Sequence, residues 1–143
     1  MSATHQTYQQ QLESVIRASW FTAEDAVYVY ASVSEVTSPE QHLLVVRDGT
    51  EITVATDARN LPLPHCLSMN KERWRLLNIR CGSPFYCKGF IATITDALAL
   101  AGVDIVIISS FSNDLILVME NDRDAAIDVL IQLGFRRDQP GDS

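Results

Sequence analysis

Basic residues are scarce in this sequence. Eleven lysines and arginines stand against eighteen aspartates and glutamates, giving a net charge of −7 at pH 7. A nucleic-acid-binding face is normally strongly basic, so this balance argues against nucleic acid as a partner. Cysteine is sparse as well: Cys66, Cys81 and Cys87 are the three present, with no CxxC pair. An odd count without a signal peptide predicts a reduced, cytoplasmic protein whose cysteines act as small buried apolar residues. His65 and Cys66 are adjacent while Cys81 and Cys87 lie apart, so no set of ligands has zinc-site spacing and no metal is expected. Histidine is limited to His5, His42 and His65, all in segments that read as tail or loop. No Ser/His/Asp or Cys/His arrangement can be assembled from them, so no catalytic residue is assigned and no cofactor is expected. Long apolar runs are missing too. None approaches the roughly 18 residues of a membrane span, which argues against a membrane partner.

What remains is the composition of a globular domain. The chain has 143 residues, 47% apolar and 20% charged. That suits one compact domain or two small half-domains sharing a core. A chain of this size buries about 70% of its unfolded surface and needs no staple.

Residues 1–7 carry no pattern and read as disordered. From Tyr8 onward, Tyr8, Leu12, Val15, Ile16 and Trp20 fall at helical spacing, which predicts a docking helix. Together, residues 1–22 form an N-terminal tail and helix. In the next stretch Val27, Val29, Ala31 and Val33 alternate with Tyr28, Tyr30 and Ser32, a strand pattern. Two further strands, 43–47 and 51–56, flank the turn signal Asp48-Gly49-Thr50. Residues 23–61 thus read as a half made mostly of strands. Residues 57–70 hold Pro62 and Pro64 without a sustained period, and read as a connection.

The second half, residues 71–135, is more regular. Residues 74–80 predict a strand leading into Cys81-Gly82-Ser83-Pro84. A helix follows, with Phe90, Ile91, Ile94, Ala97, Leu98 and Ala101 on one face, and Gly102 stands where a left-handed cap is wanted. Residues 103–108 are apolar on both faces, which suits a central strand, and residues 115–119 are its antiparallel partner. Between them lies the polar turn Ser109-Ser110-Phe111-Ser112-Asn113-Asp114. Asn121 or Asp122 can cap a last helix whose core face is Ala126, Ile127, Leu130, Ile131 and Leu133, with Gly134 as its stop. Residues 136–143 read as a loose tail. The order β-α-β-β-α is a ferredoxin-like split βαβ unit lacking its last strand. The first half has strands to spare, so the two halves are expected to complete each other.

The motif Gly89-Phe90-Ile91-Ala92, then Leu98-Ala99, Ala101-Gly102-Val103 and Ile105, then Ile108-Ser109-Ser110-Phe111, Asp114 and Leu117-Val118 resembles an ACT domain, with Phe85 ahead of it. It is similar in particular to the ACT-like family that includes the cytosolic arginine sensors and small uncharacterised bacterial proteins. About fifty residues carry the likeness; the first half matches only in general pattern. The resemblance implies an α+β, ferredoxin-like (βαββαβ-type) ACT fold: an antiparallel sheet with helices on one face, in two intertwined ACT-like halves. It also implies a regulatory amino-acid-binding module rather than an enzyme, with a homodimer or a regulated protein as partner.

The residues support such a site chemically. A helix start offers unpaired N–H groups and the positive end of the dipole, which suit a carboxylate. Gly89 allows close approach to the backbone. Asp114 can accept from an ammonium, Ser110 and Asn113 supply neutral hydrogen bonds, and Phe90, Ile91 and Phe111 wall off an apolar stem. Cys87 stands at the helix start, where a thiol pKa can fall, with no base beside it in the sequence. The expected ligand-binding set is Cys87, Gly89, Phe90, Ile91, Ser110, Phe111, Asn113 and Asp114. Turn or core roles account equally for several of them, Gly89 and Asp114 included. Arginine-sensing relatives carry acidic character beside the helix-start glycine. Here Tyr86-Cys87-Lys88 holds no acid, and Lys88 opposes a guanidinium. A neutral or acidic amino acid, or none, stays open. The competing reading is a ligand-free assembly module that completes a sheet between subunits.

Overall fold

A computed structural model describes residues 3–82 and 87–139, with side chains from Tyr8 onward. The elements run α1 (Ala3–Arg17), β1 (Trp20–Val33), β2 (His42–Arg47), β3 (Ile52–Asp57), β4 (Cys66–Met69), β5 (Trp74–Arg80), α2 (Phe90–Leu100), β6 (Ile105–Ser109), β7 (Asp114–Met119), α3 (Arg123–Leu133) and β8 (Arg136–Asp138). They fall into two compact units. One joins Met1–Glu24 to Leu76–Ser143; the other is Asp25–Arg75. The N-terminal helix therefore shares a unit with the second half, where the sequence suggests a separate segment.

The larger unit is α+β and ferredoxin-like. Its strands follow the order β1-β5-β7-β6, with β8 beside β1. The missing strand of the second half is thus the start of β1, with β8 paired to it in parallel from Trp20↔Arg136 to Thr22↔Asp138. The core is built from Val15, Ile16, Phe21, Leu77, Ile79, Ile94, Leu98, Ile116, Val118 and Leu130, with smaller residues between them. Burying each large aliphatic side chain contributes about 1.5–3 kcal/mol. On α2 the residues Phe90, Ile94 and Leu98 recur every fourth position and are all buried, as helical periodicity requires. Gly102, at φ +78°, lets Val103 N–H reach back to the Leu98 carbonyl at 3.0 Å and close the helix.

Ser19 ties two elements together behind this core. Its buried hydroxyl donates to the Val15 carbonyl at 2.6 Å and accepts the Gly82 N–H at 2.7 Å. A Cβ on Gly82 would stand 2.8 Å from the Cβ and carbonyl oxygen of Ala18, so only glycine lets the chain leave β5 this closely.

The smaller unit is a short antiparallel arrangement. β3 pairs with β1 from Val33↔Ile52 to Tyr28↔Asp57, and with β2 from Arg47↔Ile52. Asp48 organises the β2–β3 turn by accepting from Thr50 N–H at 2.7 Å, Thr50 Oγ1 at 2.8 Å and Glu51 N–H at 2.9 Å. Those bonds favour its ionised form and hold its carboxyl below the ordinary range. Ala31, Val33 and Val54 form a small core. Buried Thr56 receives Asn60 Nδ2 at 2.9 Å and faces His42 Nδ1 at 2.9 Å.

Several expectations change. α1 begins at Ala3, not Tyr8, so residues 3–7 are helical; residues 1–2 lie outside the described residues. Trp20 opens β1 instead of ending the helix. The supposed connection contains β4, and the supposed loose tail contains β8. Both strands are held by backbone pairing and carry mostly exposed side chains, so no apolar alternation marks them. The run through Ile105–Ser109 ends the strand order, whereas Ile116, Leu117 and Val118 of β7 are buried. An apolar run therefore marks a half-buried edge here, not the centre. Ala101 and Ile131 are exposed: Ala101 is the C-cap, past the last residue of α2, and Ile131 stands one position beyond buried Leu130. Residues 140–143 of the tail, and Ser83, Pro84, Phe85 and Tyr86, lie outside the described residues.

Candidate functional site

Two short features meet in the larger unit: the start of α2 and the turn between β6 and β7. Gly89 holds the N-cap position of α2 at φ +81°, a left-handed conformation that glycine adopts without penalty. Phe90 N–H then bonds the Cys87 carbonyl at 3.2 Å and Thr93 N–H bonds the Gly89 carbonyl at 2.9 Å. Phe90 is anchored edge-on against Phe135, with centroids 5.6 Å apart. The helix start is thereby fixed by the core.

The β6–β7 turn is fixed by its own polar groups. Ser110 N–H donates to the Asn113 carbonyl at 2.8 Å, and Asn113 N–H donates to Ser110 Oγ at 3.2 Å. Ser109 and Asp114 are opposite each other in the ladder. Ser109 Oγ donates to Asp114 Oδ1 at 2.6 Å, which occupies one carboxylate oxygen. Phe111 stands at the tip and is 99% exposed. A ring presented so fully to solvent is not part of the core formed by the described residues.

Between these features lies an open cleft of about 940 Å³, within the size range of small-molecule sites. Its apolar wall is Phe90, Ile91 and Phe111, with Cys87 beside them. Its polar wall is Ser109, Ser110, Ser112 and Asp114, and Arg80 and Lys88 bring two cations. Behind it Cys81 is buried, and that burial pushes its thiol up to about 11, with Cys87 and Asp114 adding to the shift. A thiol so placed is neutral and apolar in character. Among the described residues, no cluster of three or more His, Cys, Asp or Glu side chains is placed to hold a metal ion.

Of the eight residues expected from the sequence, the cleft brings together Cys87, Phe90, Ile91, Ser110, Phe111 and Asp114. Gly89 and Asn113 are not in its lining. Gly89 belongs to a different groove beside Tyr8, and a Cβ there would run into the Tyr8 hydroxyl. Asn113 serves the turn through its backbone. The lining also holds Arg80, Lys88, Ser109 and Ser112, which the expected set does not include. The only sequence signal for Arg80 is its position as the last residue of a strand in the same β-α-β-β unit.

Residues 70–132 match the family model of the ACT domain. No curated protein sequence matches this one. Among the solved structures that share the fold, three illustrate the likeness. A Vibrio cholerae protein of unknown function, described as a possible transport protein, aligns with a TM-score of 0.77 at 16% identity over 89% of this chain and 98% of its own. An Agrobacterium tumefaciens protein aligns with a TM-score of 0.70 at 18% identity, covering 85% and 92%. A putative C-terminal regulatory domain of aspartate kinase from Porphyromonas gingivalis aligns with a TM-score of 0.56 at 20% identity, covering 82% and 98%. The likeness at these identities is one of fold.

Proposed function

We propose that this chain, which carries an ACT domain over residues 70–132, is a non-catalytic regulatory module that binds an amino acid between the start of α2 and the β6–β7 turn. The observation carrying this reading is the cleft in which Asp114, oriented by Ser109, faces the helix start across an apolar wall. An α-amino acid presents an ammonium and a carboxylate about two bonds apart. Asp114 suits the ammonium. The first turn of α2, at the positive end of its dipole, suits the carboxylate. Phe90 and Ile91 take the stem. Gly89 and Asn113 shape the cleft without lining it. The regulatory part of the reading draws support from the aspartate kinase regulatory domain that shares the fold. A reducing, cytoplasmic setting fits a chain in which no disulfide joins Cys66, Cys81 and Cys87. Among the described residues, no helix is long and apolar enough to cross a membrane.

The test is thermal unfolding in the presence of each of the twenty amino acids. A ligand at about a hundred times its dissociation constant adds roughly 2.7 kcal/mol, several degrees for a domain of this size. A selective rise that disappears in Asp114→Ala supports the reading. A flat response across the panel removes it.

Phe111 favours a second reading. Its full exposure at the cleft mouth suits an assembly module in which a second copy, or a regulated protein, covers the ring. This reading requires a sedimentation-measured mass that rises with concentration in the wild type and stays monomeric in Phe111→Ser. A wild type that is monomeric throughout excludes the homodimer form.

A further inference from the structure

We infer that the amino acid held by this cleft is an acidic one, carrying a second carboxylate on its side chain. The inference rests on the amino-acid-binding reading above and sharpens its chemistry. Acidic residues outnumber basic ones by eighteen to eleven across the chain. The cleft reverses that balance: Arg80 and Lys88 line it, against Asp114 as the single carboxylate. One Asp114 oxygen is already engaged by Ser109.

The charges of a bound amino acid can be matched in turn. Its ammonium pairs with Asp114. Its α-carboxylate takes the start of α2, where Lys88 stands beside the N-cap. Arg80 lines the cleft from the end of β5 and remains to be matched. A neutral amino acid leaves that guanidinium with no counter-charge on the ligand. A lysine or arginine ligand puts a third cation beside Arg80 and Lys88. A side-chain carboxylate meets the guanidinium in the fork geometry that arginine favours. Three serine hydroxyls, Ser109, Ser110 and Ser112, lie in the same wall, so polar atoms of a short ligand have neutral partners as well.

Both cations are exposed, so the selectivity is moderate and depends on salt. A unit-charge contact at about 4 Å in a solvent-like dielectric is worth roughly fivefold in affinity. The sharpest comparison sets each acid against its amide, which has nearly the same shape and lacks the charge. Calorimetric titration with L-aspartate, L-glutamate, L-asparagine, L-glutamine, L-leucine and L-lysine provides it. The expected result is that one acidic amino acid binds about fivefold more tightly than its amide. Raising the ionic strength from low to about 0.5 M removes most of that difference. In Arg80→Gln, checked for native circular dichroism, the preference disappears while the affinity for the amide is retained.

Tighter binding of leucine, lysine or an amide than of either acid overturns this inference and leaves the amino-acid-binding reading standing. An acid preference that survives intact in Arg80→Gln overturns the role given to Arg80. Absence of binding by all six compounds, together with a flat thermal panel, removes both the inference and the reading beneath it.

Discussion

Ser109 and Asp114 are joined across the β6–β7 hairpin by a 2.6 Å hydrogen bond from hydroxyl to carboxylate. The bond is short, as a charge-assisted one should be. It fixes one Asp114 oxygen and holds the carboxylate at the edge of the cleft. An unrestrained aspartate at a turn would sample several rotamers; this one is held in place before any ligand arrives.

Asp114→Ala should therefore abolish any ligand-induced rise in unfolding temperature, because it removes the only carboxylate among the described residues of the cleft lining. Ser109→Ala keeps the charge and loses its orientation. Its dissociation constant should rise by about tenfold, the lower end for a hydrogen bond to a charged group. Titration of the two variants in parallel checks the order of effects. Equal affinities in Ser109→Ala and the wild type would remove the orienting role.

Gly89→Ala should destabilise the protein, although Gly89 does not line the cleft. A left-handed φ costs a non-glycine residue about 1–2 kcal/mol, and the new methyl also meets the Tyr8 hydroxyl. In Tyr8→Ala/Gly89→Ala the steric part is relieved and the conformational part remains. Urea denaturation of the single and double variants separates the two. A Gly89→Ala midpoint equal to wild type contradicts the assignment.

Ser19→Ala deletes a buried hydroxyl that serves the Val15 carbonyl and the Gly82 N–H together. Leaving that N–H unsatisfied costs about 1–3 kcal/mol. Gly82→Ala should cost more, since its methyl meets the backbone of Ala18 rather than a movable side-chain end. Denaturation midpoints give the ranking directly; a more stable Gly82→Ala reverses it.

Cys81 should resist alkylation at pH 8, while exposed Cys66 reacts first. Burial raises the Cys81 thiol to about 11. Above the ordinary thiol value, the unfolded chain ionises while the folded one stays protonated. The stability Cys81 contributes is thus intact below that value and lost as pH climbs towards 11. Mass spectrometry of iodoacetamide-treated protein reads the order of labelling. Cys81 labelling as fast as Cys66 in the native protein would contradict its burial. In Cys81→Ala the alkaline decline in the urea midpoint should be shallower than in the wild type.

Much of the larger unit follows from local pattern. Ile94 and Leu98 lie one helical turn apart, and Gly102 follows the last turn. These relationships span a few residues, so any chain with that spacing gains by forming a capped amphipathic helix. The Ser109–Asp114 turn is local in the same sense, since two apolar runs flank a short polar stretch. For that reason the turn, the helix start and six residues that line the cleft could be named without coordinates.

Tertiary structure decided what depends on distant partners. β4 and β8 form because β1 offers unpaired backbone groups to Cys66–Met69 and Arg136–Asp138. Backbone hydrogen bonds are available to almost any residue, so neither strand leaves a mark in its side chains. The same holds for the edge position of Ile105–Ser109, which the strand order sets and hydrophobicity does not. Gly89 turned out to face Tyr8, a residue eighty-one positions earlier. Arg80 entered the cleft because the end of β5 lies near a hairpin about thirty residues further on. The sequence by itself determined the helices, their stops and the chemistry of the turn, because those rest on neighbours along the chain. The strand partners and the charge balance of the cleft rest on neighbours in space, and only the folded chain supplies them.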